Sequence, residues 1–108
     1  ACVPKPDPNL PSSDAVLDTG LVKALVAGAS PAVAHGFEVM RVSYDPLGGV
    51  AGVAVSQSDL PDATQKQLTT LVASNLKQKA AKAPSTLELK VDVAADGVHY
   101  AVQPACIP

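Results

Sequence analysis

Two histidines, two glutamates, two cysteines, two tyrosines and one arginine are the scarce side chains in this 108-residue sequence that could do chemistry. His35 and His99 could act as a base or hold a metal, but neither has a further ligand at a recognisable spacing. No GxSxG, phosphate loop, HExxH, EF-hand loop or GxGxxG occurs. Glu38 and Glu88 both fall in strand-like runs. With Lys90 and Asp92, Glu88 reads as part of a solvent-facing row rather than an acid–base pair. The aspartates sit mostly at turns and helix starts, where their short side chains serve the backbone. Tyr44 and Tyr100 read as sheet residues with wet hydroxyls. Gly48, Gly49 and Gly52 suit a tight turn and close strand approach more than an anion-binding nest. No catalytic residue, metal ligand or cofactor is assigned. Arg41 stands mid-strand in an otherwise apolar hairpin. It can pair with Glu38, protect an edge, or contact a partner.

Cys2 and Cys106 lie close to the two ends. A bridge between them would close nearly the whole chain, worth about 4–5 kcal/mol in the chain-entropy account before native strain is subtracted. No CxxC pair or zinc-like spacing competes with that reading. The pairing implies an oxidising compartment, periplasmic or extracellular, and the start at Ala1 reads as a processed chain. A small residue before Cys2 also resembles a lipoprotein cleavage site, so a lipid on Cys2 is the alternative.

The elements that position these groups come from a narrow palette. Of 51 apolar residues, 18 are Ala, 15 Val and 11 Leu, so the core must be built from small and β-branched side chains. Net charge is −2 with one arginine, which argues against nucleic acid. The longest apolar-leaning stretch, Leu21 to Ala34, is too short to cross a membrane. The proline-rich segment 1–13 reads as an extended arm, and 14–108 as one domain.

Residues 14–29 predict a helix, capped at Ser12 or Ser13, with Leu17, Leu21 and Leu25 on one stripe and Gly28 at its end. Residues 37–44 and 50–56 predict strands joined by the turn Asp45–Gly49, apolar on both faces. Residues 61–82 predict a second helix, Pro61 at its first position and Lys77, Lys79 and Lys82 at its negative end. Residues 86–103 predict a second hairpin turning at Asp96-Gly97, pairing Val93 with Tyr100 and Val91 with Val102. The order α-β-β-α-β-β gives an α+β two-layer sandwich: two helices on one face of a four-stranded antiparallel sheet.

The run VMRVSYDPLGGVAGVAVSQSDLPDATQKQL, Val39 to Leu68, resembles the C-terminal periplasmic domain of the TonB/TolA energy-transducer group. Asp45 and Gly48 or Gly49 match its turn, Val53 and Val55 its second strand, and Ser56, Ser58, Leu60, Asp62 and Ala63 its bend and helix start. The tyrosine-proline pair before the first strand is missing, and Asn75-Leu76-Lys77 stands at the aromatic-basic helix end. The resemblance implies a small periplasmic domain that works by protein contact, partly by strand addition at a sheet edge. The sequence is therefore read as a non-catalytic interaction module of the cell envelope. Arg41, Tyr44, Val53 and Val55 are the expected partner contacts, and a membrane protein complex is a candidate partner. The alternatives are an accessory subunit of such a complex, with the arm 3–11 lying along it, or a small enzyme or ligand binder using His35 or His99.

Overall fold

The computed structural model describes residues 3–4, 8–29 and 34–107. Its elements are β1 (Val3–Pro4), α1 (Ser13–Val16), α2 (Thr19–Ala27), β2 (Gly36–Tyr44), β3 (Val50–Ser58), α3 (Asp62–Asn75), β4 (Thr86–Ala94), β5 (Gly97–Pro104) and β6 (Cys106–Ile107). Strands β2 to β5 form one antiparallel sheet in the order β3-β2-β4-β5. A separate short ladder pairs β1 with β6. The helices pack on one face of the sheet, so the chain has the expected α+β architecture. Val16 from α1, Leu17 at its junction with α2, Val22 from α2, and Leu68 and Val72 from α3 bury against Met40, Val42, Leu87, Leu89 and Val91.

Four local expectations are corrected. The helix predicted over 14–29 is two helices, broken at Leu17, whose backbone is extended and whose side chain is fully buried. Asp18 starts the second helix by accepting from the Gly20 amide at 3.0 Å, and Thr19 donates its hydroxyl to Asp14. Two short acidic side chains thus bind local groups that a continuous helix would leave to the backbone ladder.

The second helix stops at Asn75, not 82, and Pro61 is its cap rather than its first residue. Asn75 turns its amide onto the Leu71 carbonyl, and the Lys77 amide then donates to Val16. Farther on, the Lys79 amide donates to Gly48, and Ser85 accepts from the Tyr44 amide. Tertiary pairing outcompetes the helix propensity of the Lys- and Ala-rich stretch. Lys77, Lys79 and Lys82 therefore lie on a return segment and not at a helix end.

The second hairpin turns at Ala95-Asp96. Val93 pairs with Val98 and Val91 with Tyr100. The shift is two residues, so Val98, Tyr100 and Val102 keep the expected face. No non-glycine residue among those described takes a positive φ; Gly97 does, at 133°. The loop is thus not the primed turn that Asp-Gly suggested. Finally, β3 runs to Ser58 rather than 56.

Candidate interaction edge

The sheet has two edges, β3 and β5. Beyond β5 the chain continues through Ala105 into β6, which pairs with β1, and α1 packs on β5. β3 is paired on one side only, by β2, and α3 covers part of its inner face. Its nine residues, VAGVAVSQS, carry no charge and are mostly exposed. Lysine or an inward charge is the usual protection of such an edge. Here the protection is limited to two bulges. The register with β2 slips between Val39 and Met40 and again between Ser43 and Tyr44. Between them Gly52–Val55 pairs regularly with Met40–Ser43.

The four expected partner contacts do not form one patch. Tyr44, Val53 and Val55 lie on the helix side of the sheet, opposite or beside the core row Met40 and Val42. Tyr44 is 8% exposed, and burial raises its hydroxyl pKa. Val53 packs against the core and is half-buried, as is Val55. Arg41 is on the other face, opposite Ala54 on β3 and Glu88 on β4. Its guanidinium lies 3.7 Å from Glu88, not against Glu38. The alternation of β2 decides this: Glu38 points to the helices and Arg41 away from them.

The helix-free face carries a polar row beside Phe37 and the buried Val39. Arg41, Glu88 and Gln103 make one cross-strand row, with the Gln103 amide donating to Glu88 at 3.2 Å. Glu88 is only 4% exposed, so the expected solvent-facing position is corrected: flanking Arg41 and Gln103 cover it. Lys90 sits over the Phe37 ring at 5.5 Å, a cation–π arrangement. His99 pairs with Asp96 at 2.9 Å, and that hydrogen bond raises the imidazole pKa and lowers that of the carboxyl. His35 is exposed in the loop before β2. No group of three His, Cys, Asp or Glu among the described residues could hold a metal ion.

Glu38 is a feature that periodicity did not reveal. It is fully buried under α3, accepts from Thr69 at 2.8 Å, and its Oε1 has no partner among the described residues. Burial pushes its pKa up to about 7, with the Thr69 hydrogen bond pulling the other way. The Tyr100 hydroxyl is not left to water either; it donates to the Thr19 carbonyl at 2.9 Å.

At one end of β3 the turn is rigid. Asp45 Oδ1 accepts from the amides of Leu47 and Gly49, and the Gly48 amide donates to the Asp45 carbonyl. The carboxylate of Asp45 fills the nest that the glycines could have offered to an anion. Gly52, read as a close-approach position, has nothing within 4 Å of where a Cβ would be. Leu47, at the tip, is 94% exposed. Lys79 lies beside this turn, its amide on Gly48. At the other end of β3, the Asp59 carboxylate accepts from the Phe37 amide at 2.7 Å and Asp62 opens α3.

Between α2 and α3 lies an open groove of about 410 Å³, lined by Leu25, Leu71, Thr70, Lys66 and Gln67. Cys2 is outside the described residues, and with it both the expected bridge to Cys106 and the lipid alternative. The nearby ladder pairs Pro4 with Cys106 and Val3 with Ile107. No helix among the described residues is long and apolar enough to cross a membrane. No family model matches the chain, and neither does any curated protein or solved structure.

Proposed function

We propose that this is a non-catalytic protein–protein interaction module of the periplasm or extracellular space that docks through its β3 edge. The observation that carries the reading is the edge itself: nine uncharged residues, six of them exposed, with one side of the backbone unpaired. An extended segment of a partner can add to such an edge, taking specificity from alternate side chains. The half-buried valines Val53 and Val55 supply the apolar contacts on the helix side, and small Gly52 and Ala54 leave room on the other. The resemblance of Val39 to Leu68 to TonB/TolA domains points the same way. Of the four expected contacts, Val53 and Val55 stay with this docking edge. Buried Tyr44 and paired Arg41 act through the fold that holds it.

A photo-crosslinking amino acid at position 54, at position 101 on the helix-free face of β5, and at position 23 on α2 tests the edge in the source cells. A partner adduct from position 54 alone supports the reading. Adducts from 101 or 23 without one from 54 move the interface elsewhere and overturn it.

A further inference from the structure

The charges around β3 point to a specific occupant. The strand itself is neutral, so a second β3 laid against it meets no like charge along its length. The ends differ in sign. The turn end carries Lys79, while Lys77 is held away from it with its ammonium on the Asp14 carbonyl; Asp45 is there too, its Oδ1 engaged by two backbone amides. The far end carries Asp59 and Asp62, with Lys66 a turn farther along α3. An antiparallel two-fold brings the turn end of one copy alongside the α3 start of the other. Lys79 then lies near the partner's acidic pair, twice over.

Resting on the reading of β3 as the docking edge, we propose that its occupant in the free protein is a second copy of this chain. The two β3 strands pair antiparallel about an axis at Ala54. Opposed strand residues share a face, so an axis at Ala54 sets Val53 against the other copy's Val55. It covers both half-buried valines and continues the sheet to eight strands. Gly52, Ala54 and Ser56 meet one another as small side chains on the opposite face. The bulges confine the regular ladder to a short stretch around Gly52–Val55, which makes the dimer weak and dependent on its charged ends. Dimer formation then competes with any heterologous segment for the same edge.

Sedimentation velocity of the full chain, from micromolar to millimolar concentration, tests this. The wild type is expected to dimerise with concentration, less so as salt rises. Ala54→Lys, which sets two lysines against each other on the axis, abolishes the dimer. Lys79→Asp and Asp62→Lys each weaken it roughly tenfold, because each reversal counts twice in a two-fold pair. The double variant Lys79→Asp/Asp62→Lys regains wild-type association, a result no loss of fold can imitate. A monomer at every concentration overturns the dimer, as does one that survives Ala54→Lys, or a double variant no tighter than the singles. A monomer that still gives a partner adduct from position 54 overturns the self-pairing alone and leaves the docking edge standing.

Discussion

Glu38 and Thr69 meet 2.8 Å apart in the core, and the same Thr69 hydroxyl lies 2.8 Å from the Gln65 carbonyl. One hydroxyl proton faces both acceptors. Thr69 shares its proton between the Gln65 carbonyl and Glu38 Oε2, so the carboxylate receives only part of a hydrogen bond in return for its burial. The pKa of about 7 produced by burial fits a carboxyl that is neutral in mildly acidic solution.

Glu38→Gln should therefore stabilise the protein at pH 8.5 and change little at pH 5. The folded pKa lies above the ordinary 4.5, so folding binds the proton more tightly. Stability is full below 4.5 and falls as pH rises through 7. The loss is on the order of 3 kcal/mol, at about 1.4 kcal/mol per pH unit. Urea unfolding of both proteins at the two pH values checks the difference. Equal stability differences at both would show that Glu38 ionises freely in the fold.

Arg41→Ala should cost about 1–2 kcal/mol, because it strips the cation from a carboxylate that is 4% exposed. Its guanidinium remains partly in water, which keeps the cost toward the lower figure. In the Arg41→Ala background, Glu88→Gln should recover part of the loss. A double-mutant cycle by thermal unfolding measures the coupling, and strict additivity would show that the pair does not interact.

The His99 imidazole should titrate above its ordinary value, and Asp96→Asn should lower it. The hydrogen bond to Asp96 is the main cause and Asp92 adds a smaller one. The pair's contribution is present below the ordinary histidine pKa and is lost as pH rises through the raised one. Proton NMR titration of the two histidines in both proteins reads this directly. An unchanged His99 curve in the variant would remove Asp96 as the cause.

The sheet was legible in the sequence because its signal is local. Leu87, Leu89, Val91 and Val93 alternate with polar residues, and all four are buried. The register of that hairpin lies two residues from the one Asp96-Gly97 suggests, since the pair matches a primed turn by type while the backbone puts positive φ on Gly97 alone. The helix ends were lost to distant partners: nothing near Leu76 announces that the Lys77 amide will find Val16. The candidate site was half legible. Its strand and valines were found from alternation. Whether the Arg41 face is covered depends on which side the helices pack, and the open edge depends on β2 pairing centrally with both β3 and β4. Glu38 gave no signal at all, because a lone carboxylate in an apolar strand looks the same whether it faces water or α3.

Ala54→Lys tests the docking edge most directly. Ala54 is exposed on the edge strand, so the substitution should leave the melting temperature within about 2 °C of wild type, as for other surface changes. Protein carrying it should lose the partner that wild type brings through crosslinked purification from its source. A partner recovered in full by a well-folded Ala54→Lys would contradict the account.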